Sequence, residues 1–205
     1  MHEPPAKHAI SLHEQVIVIS GLPRSGTSMM MRMLEAGGLP ILSDGLRTAD
    51  EDNPNGYYEF ERVKKLRDDA AWLADARGKA VKIISFFLPE LPDTFRYKII
   101  LLHRAMPEVL ASQRKMLERR GQRDATDDER MAALFEKDLR RAADWLESRA
   151  NVSVLHVEHR DAFADPRAVA ERVNAFLGGG LDVDAMAAAV DPALHRQRHD
   201  TPGTD

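Results

Sequence analysis

A short stretch near the start of the chain decides the fold. It reads VIVISGLPRSGTS at positions 16–28. The β-branched run Val16 to Ser20 predicts a strand that is buried on both faces. The helical period of Thr27 to Ala36, which ends at two glycines, predicts a helix directly after the loop. A strand, a glycine-bearing loop and a helix in this order are typical of α/β proteins.

The same alternation continues along the chain. Further strands are predicted at Ala80 to Ser85, Tyr97 to His103 and Val152 to Val157. Further helices are predicted at Glu59 to Arg77, from near Pro107, from the capping box Thr126 to Glu129, and from Asp165 to Gly178. In the helix after the capping box, the residues expected to face the core are Met131, Leu134, Phe135, Ala142, Trp145 and Leu146. The sequence therefore predicts a three-layer α/β fold, in which a central parallel sheet of about four to five strands is flanked by helices.

Length and composition place the chain among ordinary globular proteins. Its 205 residues fit one domain, 1–205, with loose ends expected at 1–14 and 195–205. The formal net charge of -4 argues against a general nucleic-acid binder. The sequence has no cysteine, which excludes disulfides, thiolate metal sites and a cysteine nucleophile. It shows no membrane span or signal peptide, so we expect a soluble, cytoplasmic protein.

Residues 21–28 have the form of a phosphate-binding loop. Gly21 and Gly26 occupy the two glycine positions of a P-loop, where glycine lets successive backbone N–H groups point at one anion. Thr27 stands where nucleoside triphosphatases have lysine, and Ser28 fills the Ser/Thr position. Arg24 brings instead a planar guanidinium suited to sulfate or phosphate oxygens. The alternative is a glycine turn in which Arg24 faces water, but the flanking strand and helix favour an anion site in a P-loop fold.

The segment Pro23-Arg24-Ser25-Gly26-Thr27-Ser28 resembles the loop of PAPS-dependent sulfotransferases, in particular small bacterial members. In that family the loop holds the 5′-phosphosulfate of 3′-phosphoadenosine 5′-phosphosulfate (PAPS). The resemblance extends over about residues 15 to 198. It implies that Arg24, Ser25, Gly26, Thr27 and Ser28 bind this sulfuryl donor, which leaves as adenosine 3′,5′-bisphosphate, and that no metal is needed.

A second anion site is predicted near Arg104 and Ser112. The family holds the ribose 3′-phosphate with an arginine at a strand end and a serine eight residues on, and Arg104 and Ser112 have this spacing. A P-loop kinase would usually have a magnesium-binding Asp near such a strand end, whereas this strand ends in His103-Arg104. Two plainer interpretations stay open, namely that Arg104 pairs with a nearby acid and that Ser112 is a small residue of helix packing.

Sulfuryl transfer to an acceptor needs a base for the acceptor proton, donors for the charge on the equatorial oxygens, and an anchored leaving group in line. Arg24 and the loop N–H groups supply donors for the transferring group. Lys82 resembles the family's strand lysine that contacts this group, although an edge-strand lysine facing solvent also fits. Ile84 stands where the cytosolic branch has its catalytic histidine, so we interpret Glu59 as the general base, while a Glu in a first helical turn is also ordinary capping chemistry. Further candidates for the base are Glu61, His103, His156 and His159.

Three functions follow from these motifs. The first is a sulfotransferase that moves a sulfuryl group from PAPS to a hydroxyl or amine of a small-molecule, lipid or carbohydrate acceptor by in-line displacement, with residues 39–58 lining the acceptor site. The second is a P-loop small-molecule kinase that uses ATP and Mg²⁺, with Glu158 or Asp161 as the magnesium-side carboxylate. The third is a non-catalytic nucleotide-binding module. Thr27 in the lysine position and Arg104 at the strand end favour the first.

Overall fold

The centre of the fold is a parallel β-sheet. The computed structural model describes residues 12–47, 49–50, 53, 56–119, 121 and 127–194. The four strands of these residues are β1 (Gln15–Gly21), β2 (Ala80–Lys82), β3 (Arg96–His103) and β4 (Val152–Glu158). They pair in parallel in the order β2-β1-β3-β4. The predicted α/β class, with a parallel sheet flanked by helices, is confirmed.

Strand β1 lies inside the sheet and is buried along its whole length. The reason is that its side chains point alternately to the two faces of the sheet. Ile17 and Ile19 pack into one apolar cluster, and Val16 and Val18 pack into a second cluster on the opposite face. Because both faces are covered by helices and turns, an apolar run without polar interruptions is the sequence that this strand requires. The strand therefore ends at a buried position, which brings the following loop against the sheet.

The described residues contain six α-helices around the sheet: α1 (Thr27–Ala36), α2 (Met106–Arg119), α3 (Asp128–Glu147), α4 (His159–Ala164), α5 (Pro166–Leu177) and α6 (Val183–Ala188). Residues of α1, α4, α5 and α6 share the cluster around Ile17, whereas α3 joins the cluster around Val16. No helix in the described part of the chain is long and apolar enough to cross a membrane.

Several helix boundaries confirm the predictions because their signals are local. Helix α1 spans the predicted residues. The N-cap of helix α5 is Asp165, whose side chain accepts a hydrogen bond from the backbone N–H of Ala168, and its C-cap is Gly178, whose φ of 97° is left-handed. Helices α4 and α6 were not predicted, since each is short.

The predicted helix from Glu59 to Arg77 is wrong. Two short 3₁₀ segments, Glu61–Lys65 and Ala71–Ala74, stand in its place. Asp69 interrupts the helix because its carboxylate accepts a hydrogen bond from the backbone N–H of Ala71 and pairs with Arg62. Val63, Leu66 and Leu73, which were predicted to lie on one face, are still buried in the core, so the hydrophobic pattern was informative about the core but not about the helix.

Other boundaries also differ from the predictions. Strand β2 ends at Lys82 instead of Ser85, and residues 85–90 form a 3₁₀ turn that contains Pro89. The cap of α3 is Asp127, one residue after the predicted Thr126, which lies outside the described residues. Leu134, which was predicted to face the core, is 54% exposed. The buried residues of α3 are Ala142 and Trp145, which lie in the second half of the helix. Leu12–Glu14 form a 3₁₀ turn, and the other residues of the predicted loose ends lie outside the described ranges.

Candidate functional site

The glycine loop, residues 21–28, joins β1 to α1 at the carboxyl edge of the sheet. Gly21 has a φ of 145°, and a Cβ there would lie 2.5 Å from the Oγ of Ser25 and 2.7 Å from the carbonyl oxygen of Leu102. Gly26 has a φ of 98°, and a Cβ there would lie 2.6 Å from Cδ2 of His159. Both positions therefore require glycine, for backbone conformation and for space.

The loop has the features of an anion site. The side chain of Ser25 is buried, and its Oγ has no hydrogen-bond partner within the described part of the chain. The first turn of α1 follows Gly26 with no side-chain cap, so its N–H groups lack the usual side-chain acceptor. Arg24 has a φ of 69°, an unfavourable conformation for a residue with a side chain, and such strain is commonly stored at functional sites. These donors match a phosphate or sulfate group.

The second predicted anion site lies directly against the glycine loop. Arg24 donates from Nε to the Oγ of Ser112 over 2.9 Å, and Arg104 donates from Nη1 to the carbonyl oxygen of Arg24 over 2.9 Å. Arg104 also forms an ion pair with Glu108 at 2.9 Å. The plainer interpretation, that Arg104 pairs with a nearby acid, therefore describes one of its contacts. Ser112 is buried and hydrogen-bonded, and is more than a packing residue. The structure thus brings the two sequence motifs together.

Lys82 approaches the loop from the other side. It is the last residue of β2, which is an edge strand, but its side chain is only 8% exposed, so it does not face solvent. Its Nζ donates to the carbonyl oxygen of Tyr57 and lies 3.5 Å from the Oγ of Ser28. Burial lowers the pKa of Lys82 from 10.5 to about 8, against the opposing effect of Glu59. Lys82 therefore places a hydrogen-bond donor beside the loop, on a side chain that is flexible along its length.

Glu59 lies beside Lys82, with 3.9 Å between its Oε1 and the lysine Nζ. The same carboxylate oxygen is 2.6 Å from Nη1 of Arg47, whose guanidinium stacks over the Tyr57 ring at 3.3 Å from the centroid. Glu59 does not lie in a helix, and the N–H of Glu61 is capped by Asp44 instead, so the capping interpretation of Glu59 is wrong. The Glu59 carboxylate therefore contacts Arg47 and Lys82 and does not cap a helix.

The other candidates for the base have different surroundings, and one of them, His159, lies against the glycine loop. Glu61 pairs with Lys64 on the surface. His103 and His156 share a 2.8 Å hydrogen bond at the ends of β3 and β4, and burial together with the neighbouring His156 lowers the pKa of His103. His159 is buried against Gly26 and Phe163. The three histidines belong to the β3 and β4 side of the sheet, whereas Lys82 and Glu59 belong to the β2 side.

Arg47 and Tyr57 were not named as site residues from the sequence. Both belong to the segment between α1 and the 3₁₀ segment Glu61–Lys65, within residues 39–58, which were predicted to line the acceptor site from the fold alone. No local pattern indicates them, because their contacts with Lys82 and Glu59 depend on how this segment crosses the end of β2.

A separate cleft opens at the amino edge of the sheet. Its volume is about 530 Å³, and its lining residues are His13, Glu14, Arg77, Thr94, Phe95 and Arg96. It contains none of the predicted site residues and lies at the strand starts, opposite the glycine loop.

Fold and loop together define an α/β protein whose glycine loop lies at the carboxyl edge of its parallel sheet. No protein-family model matches the sequence, and no curated protein matches it either. Solved structures with a similar fold include sulfotransferase STF1 from Mycobacterium tuberculosis H37Rv, with a TM-score of 0.59 and 18% identity over 88% of this chain and 71% of that one.

Two further sulfotransferases are similar. The sulfotransferase domain of the Synechococcus PCC 7002 olefin synthase has a TM-score of 0.56 and 18% identity over 94% of this chain and 90% of that one. The sulfotransferase from Alicyclobacillus acidocaldarius has a TM-score of 0.50 and 20% identity over 88% of this chain and 87% of that one. At these identities the likeness is one of fold: the chain has the fold of bacterial sulfotransferase domains.

Proposed function

We propose that this chain is a sulfotransferase that transfers a sulfuryl group from PAPS to a hydroxyl or amine of a small-molecule, lipid or carbohydrate acceptor. The observation that carries the proposal is the contact between the two anion motifs, in which Arg24 bonds Ser112 and Arg104 bonds the backbone of Arg24. PAPS carries two separate anionic groups, and two adjoining anion sites suit such a ligand. The fold shared with bacterial sulfotransferases supports it.

Each group of residues has a proposed binding role. Arg24, Ser25, Gly26, Thr27 and Ser28 would hold the 5′-phosphosulfate, since the buried Oγ of Ser25 and the uncapped first turn of α1 offer donors there. Arg104 and Ser112 would hold the 3′-phosphate. PAPS, when bound, supplies an activated sulfuryl group. The chain's own contribution is to anchor both ends of the donor, which fixes its orientation toward the acceptor.

The catalytic roles are assigned to the β2 side of the loop. Glu59 would accept the proton of the acceptor hydroxyl or amine as the new S–O or S–N bond forms and the S–O bond to the leaving adenosine 3′,5′-bisphosphate breaks. Arg47 orients the Glu59 carboxylate through their 2.6 Å contact. Lys82 would donate from the β2 side to the oxygens on which negative charge develops, and Arg24, a residue of the loop itself, would donate from the side of Ser112.

The alternative function, a P-loop kinase, has less support from the residues at the ends of β3 and β4. β3, next to β1, ends in His103 and is followed by Arg104 instead of an acid. Glu158 ends β4, which is separated from β1 by β3, and Asp161 lies in α4. A magnesium carboxylate beside the glycine loop would have to come from another position.

Calorimetry separates the three functions. Adenosine 3′,5′-bisphosphate and, separately, ATP with Mg²⁺ are titrated into the protein, and we expect binding of the bisphosphate without a requirement for Mg²⁺. Tight ATP binding without bisphosphate binding would overturn the proposal in favour of a kinase. Turnover is then measured with sulfur-labelled PAPS and a panel of hydroxyl and amine acceptors. Bisphosphate binding with no transfer to any acceptor would favour the non-catalytic module.

A further inference from the structure

Arg32 is a half-buried cation with no assigned role. It lies in the second turn of α1, and its Nε and Nη2 atoms are shielded from solvent. Within the residues that the structure describes, neither atom has a hydrogen-bond acceptor. Shielding the donors of a charged group without a partner is costly, so such groups are normally paired or bound to a ligand.

The acid nearest to Arg32 along the same face of α1 is engaged elsewhere. Glu35, three residues further on, accepts a 2.7 Å hydrogen bond from the hydroxyl of Tyr58. Tyr58 itself has a φ of 51°, which is unfavourable for a residue with an aromatic side chain. The phenol is close enough to Arg32 to feel its positive charge, which opposes the rise of the Tyr58 pKa to about 12 that burial and Glu35 cause. The tyrosine hydroxyl therefore binds one oxygen of the Glu35 carboxylate, and Nε and Nη2 of Arg32 have no acceptor in the described part of the chain.

Arg32 also lies one helical turn from the proposed transfer site. Residues four apart on a helix share a face, so Arg32 follows Ser28 along α1. Ser28 donates to the carbonyl oxygen of Tyr57 over 3.3 Å, and the same carbonyl accepts from Lys82. The guanidinium thus belongs to the side of the loop where Tyr57, Tyr58 and Lys82 lie. Arg104 and Ser112, the proposed 3′-phosphate residues, lie on the β3 side.

We propose that Arg32 binds an anionic group of the acceptor, such as a carboxylate, sulfate or phosphate, about one helical turn from the group that is sulfated. This inference rests on the proposed function, which assigns the Tyr57 side of the loop to the acceptor. A guanidinium presents a planar fork that matches these anions, and its two shielded donors supply two hydrogen bonds. The acceptor class is therefore an acidic molecule with a hydroxyl or amine close to its acid group.

The test uses simple anions as probes. Benzoate, phenyl phosphate and the uncharged benzamide are titrated into the protein saturated with adenosine 3′,5′-bisphosphate, and the arginine Nε–H signals are followed by ¹⁵N NMR. The Arg32 signal is assigned as the one that Arg32→Met lacks. We expect benzoate and phenyl phosphate to shift this signal in the wild type and benzamide to leave it unchanged. Anions that bind without shifting it would overturn the proposal.

The variants give a second readout. Arg32→Met should weaken the two anions at least about tenfold while benzamide binds as before, because one charge-assisted contact accounts for a change of this size. Arg140→Met removes an equally positive but exposed side chain from α3 and should leave anion binding unchanged. Equal anion affinity in Arg32→Met and wild type would overturn the proposal even if both variants fold normally.

The outcome is distinguishable from a failure of the proposed function. If adenosine 3′,5′-bisphosphate does not bind at all, the sulfotransferase proposal fails, and the same titration without nucleotide still tests whether Arg32 binds anions. If the bisphosphate binds with equal affinity to wild type and Arg32→Met while the anions distinguish them, Arg32 serves the acceptor and not the nucleotide. Loss of bisphosphate affinity in Arg32→Met would assign the residue to the donor site and overturn the inference.

Discussion

Arg24 and Ser112 are 88 residues apart in the sequence and are joined by a 2.9 Å hydrogen bond from Nε to Oγ. The bond links the glycine loop after β1 to the helix after β3, at the carboxyl edge that these neighbouring strands share. Arg104 reinforces the link through the carbonyl oxygen of Arg24. Because the two motifs form one connected group, the proposed sulfuryl donor, which has two anionic groups, would contact both.

The first prediction concerns Ser112→Ala. Loss of the hydroxyl removes the partner of Arg24 and one proposed contact to the 3′-phosphate. We expect the affinity for adenosine 3′,5′-bisphosphate to fall about tenfold, since a hydrogen bond to a charged group contributes about 1.5 kcal/mol or more. Calorimetry measures the change. Ser153→Ala, an exposed serine of β4, is the matched control and should bind as the wild type does. Unchanged affinity in Ser112→Ala would remove Ser112 from the donor site.

The second prediction concerns the proposed base. Glu59→Gln keeps the size of the side chain and a hydrogen-bonding contact with Arg47, but it can no longer accept a proton. We expect turnover of PAPS to be lost, by a factor of at least about a hundred, while bisphosphate binding survives. Transfer of labelled sulfur and calorimetry measure the two quantities.

The control for this experiment is Glu61→Gln, two residues further on. Glu61 is on the surface, where it pairs with Lys64. The variant should therefore keep its activity. Retained turnover in Glu59→Gln would exclude Glu59 as the base, and lost turnover in Glu61→Gln would show that the assignment between the two is reversed.

The third prediction concerns the stability of the protein as a function of pH. Burial lowers the pKa of Lys82 from 10.5 to about 8, so between these values the unfolded chain holds a proton that the folded chain has released. Stability must then rise with pH across this window, by about 3 kcal/mol in total from this group. Lys82→Met abolishes this contribution. The difference in unfolding free energy between wild type and variant, from urea denaturation at pH 8 and pH 10.5, measures it.

The control variant for the pH experiment is Lys65→Met, which changes an exposed lysine of the first 3₁₀ segment. Its stability curve should run parallel to that of the wild type. If the Lys82→Met curve also runs parallel to the wild type, Lys82 is not shielded in the folded protein.

The fourth prediction concerns Gly26→Ala. The new methyl group would lie 2.6 Å from Cδ2 of His159, and the backbone there has a φ of 98°. Gly179→Ala is a close control, because it has a φ of 87° and nothing within 4 Å of the new Cβ. We expect both variants to lose about 1 kcal/mol from the backbone conformation and Gly26→Ala to lose about 2 kcal/mol more, together with bisphosphate binding. Urea denaturation measures both, and equal losses would contradict the contact with His159.

Local signals explain which parts of the fold were predictable. The strand at residues 16–20, the helix after the loop and the cap at Asp165 were all correct, because each depends on a few neighbouring residues. The helix predicted at Glu59 to Arg77 was wrong because Asp69 offers its carboxylate to the backbone, which a hydrophobic period does not reveal. Leu134 was wrongly assigned to the core. Helical periodicity shows which side of a helix is apolar, but it does not show whether another element covers that side.

The sequence by itself determined the order of the four strands along the chain, the helix after the loop and the need for glycine at positions 21 and 26, since these follow from side-chain pattern and backbone freedom. Only the tertiary structure decided which charged groups meet. Arg24 reaches Ser112 and Lys82 reaches Tyr57 across 88 and 25 residues, because parallel pairing of strands gathers their carboxyl ends at one edge. Among the described residues, the lack of an acceptor for Nε and Nη2 of Arg32 is likewise visible only in the tertiary structure, because it depends on which side chains surround the helix.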